Sequence, residues 1–206
     1  MRSNKRNRKT AIYQEYLEKD GELIKINGGE NMGIYPDIVN TFVDQLDAAI
    51  EIHGRVLVTR FDLRVNYYTG TSHTLSKFIK NMKQWLGRKY GVVNIGYLWV
   101  REQEKAKKQH YHMALVLDGN KINQSFKLNK IIEEKWLPHG SVFFPEHNYY
   151  FIDKNNMKEM RLKAINRASY LGKTRGKGHR PEQSKDYGSS RLKRPAMKNS
   201  DALLVV

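Results

Sequence analysis

The sequence predicts an α+β fold: an antiparallel sheet of about five strands, close to an RRM-like split βαβ plan, with helices mainly on one face and a basic C-terminal tail. Three observations predict it. Beyond a first helix, short β-branched or aromatic runs alternate with amphipathic stretches in the order β, α, β, β, α, β, α. Two of the runs, residues 92–102 and 110–118, are separated only by a short charged turn, so they form a hairpin and pair antiparallel. Finally, 206 residues with 39% hydrophobic content suffice for one core and leave no room for a second large module. Strand order is not legible in this pattern.

Residues 1–35 read as a basic arm, MRSNKRNRKT, and a poorly patterned lead-in that ends in the turn-rich GGENMG. Pro36 opens a helix to about Ile52, with Ile38, Val39, Phe42, Val43, Leu46 and Ile50 on one face. RVLVTRFDL (55–63) is a strand and NYYTGT a turn. Thr71 or Ser72 caps the next helix, where Leu75, Phe78, Ile79, Met82 and Leu86 share a face until Gly91 stops it. VVNIGYLWVRE and HYHMALVLD make the hairpin, turning over EKAKKQ. A third helix, about Lys121 to Lys135, carries Ile122, Phe126, Ile131 and Ile132 and is closed by WLPHG. SVFFPEHNYYFID supplies one bent strand or two short ones. A last helix, about Asn156 to Gly172, has Met157, Met160, Ala164, Ala168 and Leu171 as its stripe. Residues 174–206 are rich in Gly, Ser, Pro and positive charge and read as an extended, flexible tail, leaving 36–173 as the single domain.

A formal net charge of +16 makes nucleic acid the expected polyanionic partner. The absence of cysteine excludes a disulfide framework and a thiolate zinc site, so any metal must use His, Asp, Glu or Gln. No apolar stretch reaches the length of a membrane span, and the basic start is not followed by an apolar signal region. A cytoplasmic protein with no membrane partner is expected.

With seven histidines in the chain, one HxH is weak evidence in itself, so His110 and His112 must be judged by their setting. In a strand, alternate side chains share a face. His110, His112, Ala114 and Val116 then point one way, and Tyr111, Met113, Leu115 and Leu117 point the other. Across the hairpin, Gly96, Leu98, Val100 and Glu102 share a face, and a turn near residue 106 sets Glu102 opposite His110 or His112. Two imidazoles and a carboxylate form a divalent site with open coordination, for which Mg2+ or Mn2+ suits phosphate chemistry. Two exposed histidines beside a surface glutamate are the plainer alternative, and Glu104 competes with Glu102 as third ligand.

NRASYLGK (166–173) supplies a partner chemistry. On a helix, Tyr170 lies off the apolar stripe, on a basic strip with Lys163, Asn166, Arg167 and, one turn on, Lys173. A phenol alone is a weak nucleophile at neutral pH, and a neighbouring cation or metal-polarised phosphate lowers the demand on it. With twelve tyrosines present, a partly exposed packing tyrosine is the common alternative.

HYH on a strand, Glu102 eight residues earlier and YLGK on a later helix resemble the HUH endonucleases, in particular single-tyrosine rolling-circle replication initiators of filamentous phages and related prophage elements. The resemblance spans about residues 50–192. It implies the HUH endonuclease fold, metal ligation by His110, His112 and Glu102, Tyr170 as nucleophile and Lys173 as its assistant. It further implies nicking of single-stranded or hairpin origin DNA through a 5′-phosphotyrosine. VLVTRF departs from the family's first motif, which leaves Thr59 and Asp62 without a role. Lys163, Arg167, Arg175, Lys177, Arg180, Arg191, Lys193 and Arg194 are the expected DNA-binding cations. No GxxxxGK[ST] occurs, so unwinding and synthesis would need a host helicase and polymerase. A relaxase or transposase would use the same residues. Two further readings stay open: a non-catalytic RRM-like module that stacks bases on Tyr67, Tyr68, Tyr111 and Tyr149, and a metal-dependent nuclease that uses water.

Overall fold

The computed structural model describes residues 10–104, 108–182 and 184–195; the basic arm up to residue 9 and the tip of the hairpin turn, residues 105–107, lie outside them. One antiparallel sheet contains β3 (Val56–Val65), β4 (Gly96–Glu102), β5 (His110–Asp118), β6 (Gly140–Phe143), β7 (Tyr149–Ile152) and β8 (Tyr187–Ser189). Its order is β6-β3-β5-β4-β8. β6 takes the Asp62–Val65 end of β3, and β7 takes the Val56–Thr59 end. A separate hairpin, β1 (Tyr16–Lys19) and β2 (Glu22–Lys25), precedes helix α1 (Pro36–His53). The remaining helices are α2 (His73–Tyr90), α3 (Ser125–Trp136) and α4 (Met157–Ser169), the last followed by a single 3₁₀ turn, Tyr170–Gly172.

Because β3 and β4 both run antiparallel to β5, they are parallel to each other, joined by α2 with β5 inserted between them. That is the split βαβ plan expected from the sequence, and the α+β class holds. The 141–153 stretch resolves into two short strands, β6 and β7.

The helices cover both faces of the sheet, not mainly one. α1 and α4 pack with Val56, Val58, Leu98, Val100, Ala114 and Val116, while α2 and α3 pack with Leu57, Phe61, Trp99, Met113, Leu115 and Leu117. The cause is in the strands: β5 reads Ala114, Leu115, Val116, Leu117 in succession, all buried, and a strand apolar on both sides needs cover on both.

Among the described residues, parts of the stretches read as lead-in and tail are folded. Asp20 and Gly21 close the β1–β2 hairpin with φ of 51° and 78°, the positive values that a two-residue hairpin turn requires. Arg161 of α4 then fastens the hairpin to α1, donating to Glu22 Oε2 at 2.7 Å and to both carboxylate oxygens of Asp47 at 2.6 and 2.9 Å. In the tail, β8 pairs with Leu98–Val100, and Gln45 Oε1 accepts from Ser190 Oγ at 2.6 Å and from Leu192 N at 2.8 Å. The segment is held by matched polar groups, which composition does not reveal. α3 begins four residues later than expected because the Asp118 carbonyl and carboxylate gather Asn120, Lys121 and Ile122 into a turn.

Gly188 of β8 lies against the Trp99 indole, where a Cβ would stand 2.8–2.9 Å from ring atoms. Gly188→Val should therefore unseat β8 and cost about 1–3 kcal/mol in urea unfolding; an unchanged midpoint would show that β8 contributes little to the fold.

Candidate metal centre

The sheet register builds the site. β5 pairs His110 with Glu102 and His112 with Val100 on one side, and His110 with Arg64 and His112 with Asp62 on the other. Paired residues project to the same face, so all six share one surface at one end of the sheet. Ligand atoms of Glu102, His110 and His112 lie within 4.8 Å of one another. Glu102 Oε2 stands 3.1 Å from His112 Nε2 and 3.6 Å from His110 Nε2. Of the two competing glutamates, Glu102 is in the cluster; Glu104 pairs with exposed Arg175 at 3.0 Å.

Glu102 is only 3% exposed, and an isolated buried carboxylate would be driven to neutrality. Here burial is outweighed: hydrogen bonds with His110 and His112 and the Lys177 charge hold its carboxyl far below the usual carboxylate range. Lys177 Nζ donates to Oε1 at 2.9 Å, and Lys173 Nζ lies 3.2 Å from Oε2. On the far side of His112, Nδ1 meets Asp62 Oδ1 at 2.6 Å. Burial disfavours the imidazolium, yet the hydrogen bonds to Asp62 and Glu102 raise the His112 pKa. With Nδ1 committed to Asp62, Nε2 faces Glu102, the orientation a second carboxylate typically imposes on a metal-ligating histidine. The donor set, two imidazole nitrogens and a carboxylate, fits a divalent cation of borderline or hard character.

Tyr170 opens the 3₁₀ turn beside this cluster. Its ring centroid is 5.8 Å from that of His112 and nearly perpendicular to it, and its hydroxyl accepts from Lys173 Nζ at 2.6 Å. The Arg60 guanidinium lies over the same ring, 4.9 Å from the centroid. The turn is fixed from below: Leu171 is fully buried, Tyr35 N donates to Gly172 O, and a Cβ at Gly172 would stand 3.0 Å from Ile34 and Val39. A cavity of about 240 Å³ lies over the cluster, lined by Glu102, His110, Tyr170, Lys173 and Arg175.

The five residues singled out, His110, His112 and Glu102 as ligands, Tyr170 as nucleophile and Lys173 as its assistant, thus come together. Asp62 and Arg60 do so as well and were left unassigned, because facing His112 from β3 requires knowing that β3 neighbours β5.

The expected DNA-binding cations fare differently. Lys177 is buried on Glu102 and cannot meet a phosphate, which corrects that expectation. Lys163 pairs with Glu159, Arg180 with Asp186, and Arg194 with Asp47 and Glu51. Arg167 donates to the Glu146 carbonyl. Arg191 and Lys193 carry no ion pair among the described residues.

A family model described as the YagK/YfjJ C-terminal domain matches residues 7–190. The chain belongs to this family. The YagK/YfjJ match takes in Arg60, Asp62, Glu102, both histidines, Tyr170, Lys173 and Lys177. No curated protein and no solved structure matches the chain.

Asp62→Asn keeps the size of the side chain but removes the charge that orients His112. Mn2+ affinity measured by electron paramagnetic resonance should fall about 10–100-fold with the fold intact; unchanged affinity would remove Asp62 from the site. Because the folded-state pKa of Glu102 is depressed, its stabilising contribution is present above the ordinary carboxylate pKa and is lost as pH falls from there towards the folded value. Below about pH 4.5 stability should drop more steeply in wild type than in Glu102→Gln, read by urea midpoints across an acid series.

Proposed function

We propose that this protein is a metal-dependent endonuclease and strand transferase that nicks single-stranded DNA with Tyr170. One observation carries the reading: the Tyr170 hydroxyl, held by Lys173 at 2.6 Å, stands at the edge of a buried Glu102–His110–His112 cluster. A tyrosine needed only for packing would not require a half-buried lysine on its oxygen.

A divalent cation, Mg2+ or Mn2+, held by Glu102, His110 and His112 would polarise the scissile phosphate. The Tyr170 oxygen forms a bond to phosphorus, and the bond from phosphorus to the 3′ oxygen breaks. The phenol proton leaves to solvent and the departing 3′ oxygen takes one up, giving a 5′-phosphotyrosine and a free 3′-hydroxyl. Lys173 stabilises the developing phenolate, and Arg60, stacked on the ring, limits its rotation. The phosphotyrosine conserves the energy of the broken linkage, so a second 3′-hydroxyl can reverse the step without a nucleotide cofactor. Such nicking and rejoining suits rolling-circle replication of a phage or prophage element in a bacterial cytoplasm, with the host supplying helicase and polymerase. A relaxase or transposase would use the same residues on a different substrate.

Incubation with labelled single-stranded DNA of the element's own origin and Mn2+ should yield a protein–DNA adduct that survives SDS. Tyr170→Phe and His112→Ala should each lower its yield at least about 100-fold. Cleavage without adduct, undiminished in Tyr170→Phe, would make the enzyme a hydrolase that uses water; neither cleavage nor adduct on any origin strand would sink the reading.

A further inference from the structure

Five of the eight expected DNA-binding cations, Lys163, Arg175, Lys177, Arg180 and Arg194, are paired with carboxylates, which turns attention to cations nearer the cluster. A second and larger cavity, about 620 Å³, adjoins His110 and does not have Tyr170 in its lining. Its lining includes Asp62, Arg64, Lys108, His110 and His112, so it is continuous with the cluster. Arg64 and Lys108 are both exposed, and neither has a carboxylate partner among the described residues. Each stands beside an exposed aromatic ring: Lys108 Nζ is 5.9 Å from the Tyr67 centroid, and Arg64 Cζ is 5.8 Å from that of Phe143.

These rings are conspicuous. Tyr67 is 81% exposed and Phe143 is 49% exposed, in a protein that buries its other phenylalanines except Phe126 and, in part, Phe144 and Phe151. Phe143 is paired with Asp62, so it projects from the same face as His112, two strands away. α1 and α4 cover this face where Val58, Ala114 and Val116 lie, and leave it open at Arg64 and Phe143.

We infer that this open end of the sheet is a base-stacking subsite for single-stranded nucleic acid, with Tyr67 and Phe143 as platforms and Lys108 and Arg64 as phosphate contacts. An unpaired base offers a π-face to each ring, and the flanking cation meets the backbone. A duplex keeps its bases stacked inside and offers nothing to the rings. The assignment rests on the proposed nuclease reading for the identity of the strand, but the subsite binds whether or not the phosphodiester is cut.

Fluorescence anisotropy with a labelled oligothymidylate of about twelve nucleotides, in EDTA, isolates binding from cleavage. Tyr67→Ala with Phe143→Ala should weaken it by roughly ten-fold or more, and Tyr67→Trp should retain it. Both side chains are exposed, and circular dichroism melting checks that the double variant is folded. Arg64→Gln should make affinity less dependent on salt. An abasic oligomer of equal length, and a duplex, should bind wild type more weakly than oligothymidylate does. Phe126→Ala, which removes an exposed ring on α3, should bind as wild type. The subsite is overturned if the folded double variant binds within two-fold of wild type, or if the abasic oligomer or the duplex binds as tightly as oligothymidylate. Loss of the covalent adduct with stacking intact would fail the nuclease reading alone; adduct formation with stacking unaffected by both ring truncations would fail the subsite alone.

Discussion

One buried carboxylate organises this molecule. Glu102 sits at the end of β4 with almost no solvent, and its two oxygens are shared among His110, His112, Lys173 and Lys177. Breaking such a pair by removing one partner leaves an uncompensated charge and typically costs about 3–5 kcal/mol. The four partners arrive from three places: the histidines from β5, Lys173 from the turn after α4, Lys177 from the segment beyond. The demand of Glu102 for positive charge therefore does what an apolar contact does elsewhere, drawing a polar segment onto the sheet. Gln103 N donates to the Gly176 carbonyl, so the chain carrying Lys177 is also fixed to the strand that carries Glu102.

Packing explains why the site lies where it does. The face shared by β3, β4 and β5 is apolar along Val56, Val58, Leu98, Ala114 and Val116, and α1 with α4 seals that part. Beyond Ala114 and Val100 the same face turns polar, with Arg60, Asp62, Arg64, Glu102, His110 and His112. α4 gives way to the 3₁₀ turn at this boundary, so Tyr170 lies between sealed and open surface. Leu171, one residue on, remains in the core. Adjacent residues thus serve opposite purposes: one anchors the turn while the other presents its oxygen to the cluster.

Much of this was legible in the sequence, and the illegible parts have physical causes. Strand parity on a tight hairpin is a local property, so the shared face of Glu102, His110 and His112 could be read directly, as could α1 and α2 from their apolar spacing. Asp62 could not be placed, since pairing β3 with β5 spans about fifty residues and no periodicity records it. The Asp20–Gly21 turn was a usable signal, but its strands bury only Leu17 and Ile24. Composition misled most in the tail. Lys177, Ser184 and Ser190 look like solvated residues in a list, and all three are buried because each finds a partner: Glu102, the Gly70 carbonyl and Gln45.

The same accounting weighs against a purely binding, RRM-like sheet. Such a module stacks bases on rings that stand free on an open face. Tyr111, on the opposite face from the histidines, is 1% exposed beneath α2, with its hydroxyl 3.4 Å from Ser72 Oγ. Tyr149 pairs with Thr59, which also faces away from the histidines. At the open end of the histidine face, the exposed rings Tyr67 and Phe143 stand beside the cations that line the cavity over a carboxylate–histidine cluster that is costly to bury. A fold that needed only adhesive rings would gain nothing from desolvating Glu102, so the phenol and its lysine placed against that charge favour the proposed nuclease reading over a binding module.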